Sequence, residues 1–196
     1  MSSIARPLTL ADIAVPRSSA VSDVILVLVA SLVTALAAQA EIRLPWTPVP
    51  ITGQSFAVLL SGLVLGSRRA LLAQMLYLSY GAAGLPVFSG GGAGLVQFMG
   101  PTGGYLIGFP FAALVTGLLA ERGWDRKPHT MFAAMLLGSG VIFALGLAQL
   151  SRFMPSEGLL AAGLLPYIPG DLIKSALAAG VFPLVWRMAN PGGGAK

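Results

Sequence analysis

The amino-acid sequence predicts an all-α membrane protein with six transmembrane helices and both termini in the cytoplasm. The composition and the placement of the basic residues carry this prediction. Of the 196 residues, 56% are hydrophobic and 10% are charged, and the mean hydropathy is +0.82. Because a soluble domain carries about a quarter charged residues, this chain has too few polar groups for a surface exposed to water. We therefore expect lipid to be its solvent.

Six apolar segments are each close to, or somewhat shorter than, the ~20 residues that cross ~30 Å of hydrocarbon. They lie at residues 22–41, 51–66, 69–85, 104–120, 130–150 and 168–188. Gly and Pro cluster between them, as expected of connecting turns. The second and third segments are short, so we expect these helices to tilt or to end within protein.

The first segment also has features of a secretory signal peptide, because its apolar run ends in Ala38-Gln39-Ala40, a sequence of small residues typical of cleavage sites. However, residues 1–21 precede it without a compact basic region, and five further apolar segments follow. We therefore expect a retained first helix.

The basic residues predict the orientation of the helices. With the N-terminus in the cytoplasm, nine Lys and Arg residues lie on the cytoplasmic side, and only Arg43 and Arg152 lie outside. The nine are Arg6, Arg17, Arg68, Arg69, Arg122, Arg126, Lys127, Arg187 and Lys196. The predicted organisation is a cytoplasmic segment 1–21, a transmembrane domain 22–190 and a cytoplasmic tail 191–196. Topology thus explains the net charge of +5, and no nucleic-acid partner is predicted.

The sixth segment carries two charges, Asp171 and Lys174, in its first turn on the external side. A charge at the centre of a transmembrane helix costs roughly 2.5–3.5 kcal/mol on insertion scales, and less near the interface. Residues three apart share one face of a helix. The two side chains could form a structural ion pair, Asp171 could cap the helix N-terminus, or both could form a polar site for a ligand.

Residues 81–104 form an external connection with nine glycines and no charged residue. Apolar side chains such as Phe88 and Leu95 distinguish it from a polar flexible linker. We expect it to fold back over the bundle as a lid, where glycine lets the backbone approach a ligand closely.

Small residues recur at every fourth position of the first segment, at Ala30, Thr34 and Ala38. Such spacing allows close packing, either within the bundle or against the helix of another membrane protein. The sequence leaves both alternatives open.

No enzymatic or metal-binding motif is found. The chain has no cysteine, and His129 is its one histidine, so thiolate and His-based metal sites are excluded. There is no Walker motif, zinc signature or nucleophile elbow. We therefore predict neither an enzyme nor a cofactor.

Four stretches of the sequence resemble one known family. They are GQSFAVLLSGLVLG (53–66), GAAGLPVFSGGGAGL (81–95), GPTGGYLIGF (100–109) and PYIPGDLIK (166–174). Together they are similar to the BioY family, the biotin-binding S components of energy-coupling-factor (ECF) vitamin transporters. The resemblance covers roughly residues 20–190.

The resemblance implies a six-helix S-component bundle in the cell membrane, which binds a vitamin at its external side. The lid would be formed by the loop between the first two helices and by residues 81–104. The expected partners are biotin, membrane lipid, a transmembrane coupling subunit and two ATPase subunits. Ala30, Thr34 and Ala38 would belong to the coupling surface, although Thr34 departs from an Ala-only pattern.

Biotin has a ureido ring with two N–H donors and one carbonyl, an apolar thioether ring and chain, and a carboxylate. Asp171 is expected to accept a hydrogen bond from a ureido N–H. Lys174 could donate to the ureido carbonyl or pair with the carboxylate, and the three-residue spacing favours the ureido carbonyl because both side chains can then bind one small head group. The other predicted ligand-binding residues are Tyr105, Gln97, Phe88, Thr102 and Gln54. Because residues 81–104 contain no Lys or Arg, we expect the carboxylate to meet Gln97, Thr102, backbone N–H groups or water.

Three alternatives remain at this point. The chain could bind another small vitamin, it could be a membrane enzyme, or it could be a scaffold in which Asp171 and Lys174 form a packing pair.

Overall fold

The computed structural model describes residues 9–15 and 19–189, and this part of the chain is mainly helical. Its helices are α1 (Leu10–Ala14), α2 (Ala20–Gln39), α3 (Gln54–Leu65), α4 (Ser67–Ala82), α5 (Val96–Met99), α6 (Gly103–Glu121), α7 (Pro128–Leu150), α8 (Ser156–Gly163) and α9 (Ile168–Ala189). Two short strands, β1 (Glu41–Ile42) and β2 (Ile51–Thr52), pair in antiparallel fashion between α2 and α3. We call residues 41–52 the ribbon.

Each of the six predicted apolar segments largely coincides with one helix, namely α2, α3, α4, α6, α7 and α9. The second segment was predicted to start at residue 51, but residues 51–52 form β2 and the helix begins at Gln54. The third was predicted to continue to residue 85, but its helix ends at Ala82. Gly84 then has a φ of +98°, a left-handed conformation that commonly ends helices.

Four segments of the described chain are long and apolar enough to cross a membrane. They are Ala20–Gln39, Gly103–Glu121, Pro128–Leu150 and Ser156–Ala189. The helices α3 and α4 have 12 and 16 residues, which agrees with the expectation that the second and third segments are short. This pattern is that of a multi-pass membrane protein.

Helix α6 forms the centre of the bundle and packs against α3, α4 and α7. Of its most apolar stretch 72% is buried within the chain, compared with 17% for α2. Glycine permits the close approach of these helices, since a Cβ at Gly62 would lie only 2.6 Å from the carbonyl oxygen of Ala113 in α6. By contrast, α2 is peripheral and exposes apolar side chains such as Leu36.

The small residues of α2 pack within the chain. Thr34 and Ala38 are completely buried, and Thr34 Oγ1 accepts a hydrogen bond of 3.2 Å from Gln74 Nε2 of α4. Ala30 is partly buried. In this conformation Thr34 and Ala38 are therefore not available on the surface. Their predicted role in docking a coupling subunit stays a prediction, and it requires α2 to move.

The predicted cytoplasmic segment contains the short helix α1, which the sequence analysis did not anticipate. Thr9 and Asp12 form a capping box at its start, and Asp12 Oδ1 lies 2.6 Å from Arg69 Nη1 of α4. Arg69 Nη2 lies 2.8 Å from Asp23 Oδ1 of α2. The predicted cytoplasmic residues Arg6, Arg17 and Lys196, and the tail 191–196, lie outside the described residues.

The connection between α6 and α7 is joined to the end of α9 through a buried carboxylate. Asp125 is fully buried, and its Oδ2 accepts a hydrogen bond of 2.5 Å from Trp186 Nε1. The guanidinium of Arg126 lies 4.7 Å from the centre of the Trp186 ring. Burial raises the pKa of Asp125 to about 6, although the Trp186 hydrogen bond opposes this shift.

Candidate ligand-binding site

A cavity of about 590 Å³ opens at the end of the bundle that the sequence analysis assigned to the external side. Its walls come from the ribbon, from the connection between α4 and α6, and from α6, α7 and the start of α9. This volume is within the range of about 300–1,000 Å³ found for small-molecule pockets.

All seven side chains predicted from the sequence to bind the ligand line this cavity. They are Gln54, Phe88, Gln97, Thr102, Tyr105, Asp171 and Lys174. The fold thus brings together residues from four separate parts of the chain. Their direct contacts with a ligand stay predictions.

Asp171 and Lys174 do not form a direct ion pair. Asp171 Oδ1 accepts a hydrogen bond of 2.6 Å from Ser139 Oγ of α7, and Lys174 Nζ donates one of 3.0 Å to the carbonyl oxygen of Thr52 in β2. In the described part of the chain, no carboxylate oxygen lies within 4.0 Å of Lys174 Nζ. Both charges are half-buried and line the cavity, an arrangement that favours a polar site over a packing pair.

Gln54 connects the ribbon to α4 and thereby to the lid. Its Oε1 accepts a hydrogen bond of 3.1 Å from Thr52 Oγ1, and its Nε2 donates one of 2.5 Å to the hydroxyl of Tyr77. The Tyr77 hydroxyl in turn donates to the carbonyl oxygen of Val87 at 3.1 Å. Gln54 is 5% exposed, so both ends of its amide are already engaged within the protein.

The glycine-rich connection folds back over the bundle, as the sequence predicted. Phe88 is 2% exposed, and its ring packs edge-on against Tyr77 and Phe98 with centroid distances of 5.5 and 5.6 Å. Gln149 Nε2 of α7 donates to the carbonyl oxygens of Phe98 and Gly100 at 2.7 and 2.9 Å. The lid is therefore anchored by both aromatic packing and backbone hydrogen bonds.

Tyr105 contributes its ring to the cavity wall, but its hydroxyl points elsewhere. The hydroxyl donates a buried hydrogen bond of 2.7 Å to the carbonyl oxygen of Gly163 in α8. Glycine at position 146 of α7 makes room for the ring, since a Cβ there would lie 2.5 Å from Tyr105 Cζ. In this structure Tyr105 supports the cavity sterically.

Several polar residues of the cavity were not predicted from the sequence. Ser139 is a single hydroxyl within an apolar helix, and nothing in its neighbourhood distinguishes it from a packing residue. Tyr167, whose hydroxyl donates to the carbonyl oxygen of Val49 at 2.5 Å, belongs to the quoted PYIPGDLIK motif and could have been found there. Arg43 was assigned to the external side but was given no role.

Glu41 and Arg43 form an ion pair on the ribbon, beside the lid. Arg43 Nε lies 2.8 Å from Glu41 Oε1, and the other oxygen of Glu41 accepts a hydrogen bond from the hydroxyl of Ser89. The Ser89 hydroxyl and the Arg43 guanidinium hold the pKa of Glu41 below its ordinary value. Glu41 is therefore a carboxylate at neutral pH. Nowhere in residues 9–15 and 19–189 do three or more His, Cys, Asp or Glu side chains form a potential metal site.

Comparison with known proteins identifies a consistent set of relatives. The BioY family matches residues 9–191 of this chain. A protein of Rhizobium etli named "Biotin transporter BioY" is 41% identical over 165 residues, which cover 80% of this chain and 88% of the relative. A protein of Pyrococcus horikoshii named "Probable biotin transporter BioY" is 40% identical over 151 residues, which cover 77% of this chain and 89% of the relative.

A solved structure has a similar fold. It is described as the crystal structure of the S-component for biotin from an ECF-type ABC transporter. Its TM-score is 0.73 with 24% sequence identity, and the match covers 85% of this chain and 92% of that chain. At this identity, the comparison supports the fold.

Proposed function

Because this chain belongs to the BioY family, we propose that it captures biotin at the external side of the cytoplasmic membrane for uptake. The observation that carries the proposal is the cavity in which Asp171 and Lys174 meet without pairing to each other. Curated relatives that are named as transporters argue for transport rather than enzymatic activity.

The unused hydrogen-bonding capacity of the two charges matches the ureido ring. Asp171 Oδ1 is engaged by Ser139, while Oδ2 has no hydrogen-bond partner among the described residues. A Lys ammonium has three donors, and one of them is used by the carbonyl of Thr52. Asp171 can therefore accept from a ureido N–H while Lys174 donates to the ureido carbonyl. Each such charge-assisted hydrogen bond contributes about 1.5–3 kcal/mol.

The remaining cavity wall suits the apolar part of the vitamin. Phe88 and Tyr105 line it together with Phe109, Ile142 and Phe143. Apolar and aromatic walls with a few placed polar groups are typical of small-molecule sites. The thioether ring and the valeryl chain would pack against these side chains beneath the lid.

The proposed arrangement in the membrane is six spans with both termini cytoplasmic. The excess of Lys and Arg in the predicted cytoplasmic segments supports it. The fold shared with an S component supports association with a transmembrane coupling subunit and two ATPase subunits. Co-purification of the full-length protein with an ECF module would test this association.

The binding proposal is tested by calorimetric titration of biotin into the detergent-purified protein and into the Asp171→Asn and Lys174→Met variants. We expect nanomolar binding by the wild type and at least a roughly 100-fold loss in each variant, equivalent to about 3 kcal/mol. Arg152→Gln is the matched control, because Arg152 is external and exposed but does not line the cavity. A thermal melt shows whether each variant is folded.

Different results identify the alternatives. If the wild type gives no heat with biotin at micromolar concentration, biotin is not its ligand, and other water-soluble vitamins should then be titrated. If both variants bind biotin normally but melt at lower temperature, the two charges are structural and the assignment of the ureido ring to them is wrong, although biotin remains the ligand.

A further inference from the structure

The cavity contains a second acid–base pair that the proposed ureido site does not use. Asp171 and Lys174 line it at α9, whereas Glu41 and Arg43 line it at the ribbon. Arg43 and Lys174 are the basic side chains among the described residues that form the cavity wall. If Lys174 binds the ureido group, Arg43 remains as the cation for the carboxylate at the other end of biotin.

The ribbon places Arg43 away from Lys174 and on the cavity side. Arg43 directly follows β1, and its side chain lies at the open mouth of the cavity, where it is 72% exposed and contacts Glu41. Glu41 pairs with Thr52 across the ribbon, and Lys174 binds the carbonyl of Thr52. Arg43 lies two residues beyond Glu41 in the chain and contacts Glu41 rather than Thr52. The two cations thus suit a ligand with polar groups at both ends.

The guanidinium of Arg43 is oriented by Glu41, but only part of its hydrogen-bonding capacity is used. Its Nε donates to Glu41 Oε1 at 2.8 Å, and neither Nη1 nor Nη2 has a hydrogen-bond partner in the described part of the chain. The lid makes room for this group because position 90 is glycine, with a φ of +64°. A Cβ at Gly90 would clash with Arg43 Nη2. Glu41 also accepts from Ser89 of the lid, so it holds the guanidinium and the lid together.

Arg43 is a better carboxylate partner than the neutral groups expected from the sequence. Gln97 and Thr102 also line the cavity, but a hydrogen bond from a charged donor is roughly twice as strong as a neutral one. The planar guanidinium also presents two parallel donors to a carboxylate. Residues 81–104 contain no cation, and the ribbon supplies one.

We infer that Arg43 binds the carboxylate of biotin and makes the site selective for the free acid over neutral derivatives. This inference rests on the proposed function and assigns the second end of the ligand. Glu41 acts as the positioning residue for Arg43.

Comparing biotin with biotinamide, in which the carboxylate is replaced by a neutral amide of similar shape, provides the test. We expect the wild type to bind biotin roughly 10- to 100-fold more tightly than biotinamide. Arg43→Gln should bind both ligands as the wild type binds biotinamide, and Arg43→Lys should recover part of the preference. Arg152→Gln should keep the wild-type preference.

The outcomes separate this inference from the proposed function. Normal biotin binding by Arg43→Gln would overturn the inference and leave the ureido site intact. An equal loss of both ligands in that variant would also overturn it, because Arg43 would then act only on the lid. If the wild type binds neither ligand, the proposed function itself fails, and the inference fails with it.

Discussion

The packing of the lid makes Gly81→Ala an informative perturbation. Gly81 lies in the last turn of α4, directly beneath the ring of Phe88. An added Cβ would lie 2.5 Å from Phe88 Cε1 and closer still to Cζ. Because the ring is held between Tyr77 and Phe98, it cannot move aside without losing one of these contacts. We expect the substitution to displace Phe88 and, with it, the lid.

The size of the effect follows from two contributions. Overpacking a well-packed site by one methyl group costs typically 1–3 kcal/mol. Expelling the ring of Phe88 from the lid would lose roughly 1.5–3 kcal/mol of burial and about 0.5–1.5 kcal/mol for each aromatic pair. A partial shift of the ring with some overpacking costs less, so we expect that response. If the closed lid is required for binding, 1–3 kcal/mol raises the Kd for biotin about 5- to 150-fold, chiefly through faster dissociation.

The assay is stopped-flow release of biotin together with calorimetric titration. Gly140→Ala is the matched control, since a Cβ at that helical position meets no atom within 4 Å, and it should leave the Kd within about twofold. Phe88→Leu alone should weaken binding because Phe88 lines the cavity, but adding Gly81→Ala to it should cost much less than Gly81→Ala costs in the wild type, since the smaller side chain relieves the overlap. Unchanged affinity in Gly81→Ala, or an equal cost of Gly81→Ala in both backgrounds, would refute the reasoning.

Two further predictions concern stability in detergent. Burial raises the pKa of Asp125 from an ordinary 3.8 to about 6. The folded state should therefore lose on the order of 3 kcal/mol of stability as pH rises from about 4 to 6. Thermal melts should show this slope in the wild type but not in Asp125→Asn, whose side-chain oxygen can still accept a hydrogen bond from Trp186. Gln74→Leu should lower the free energy of unfolding in mixed micelles by only about 1 kcal/mol. Gln74 Nε2 makes two hydrogen bonds, to Thr34 and Ser61, each of which contributes about 0.6 kcal/mol between membrane helices, and Gln74 Oε1 has no partner among the described groups.

These two predictions have their own controls. Asp12→Asn should leave the slope between pH 4 and 6 in place, because Asp12 is also an acid of the predicted cytoplasmic side but does not contact Asp125, Arg126 or Trp186. A parallel pH dependence in the wild type and Asp125→Asn would mean that another group titrates.

Gln74→Glu should be far more destabilising than Gln74→Leu, because a charge replaces a neutral amide in the bundle. Equal stability of the two Gln74 variants would show that this position is hydrated.

The sequence alone predicted the positions of the six main helices to within a few residues. Such a prediction succeeds because apolar length and turn residues are local properties of the chain. The errors occurred at segment ends, where the conformation depends on particular contacts: the pairing of Glu41 with Thr52 makes a strand at the expected start of α3. The helix α1 was missed because it is only five residues long and has no apolar run of membrane length.

In the candidate site, too, the residues within a local motif could be predicted from the sequence and their distant partners could not. Two charges in an apolar segment, together with the resemblance in PYIPGDLIK, pointed to Asp171 and Lys174, and both line the cavity. Ser139 lies 32 residues from Asp171, and Arg43 comes from the ribbon, so neither partner could be recognised from local sequence. Thr34 and Ala38 had two possible roles from their spacing, and the tertiary structure uses them within the bundle.

The sequence by itself determined the membrane class, the helices, the family and the two charges that line the cavity, because composition, apolar length and motifs are properties of contiguous residues. The tertiary structure decided which polar groups meet in the cavity and which small residues are buried. In a soluble protein the apolar face of a helix reveals what is buried. Here lipid and protein interior are both apolar, so α7 and α9 carry apolar residues on all sides, and only packing distinguishes the inner face from the outer one.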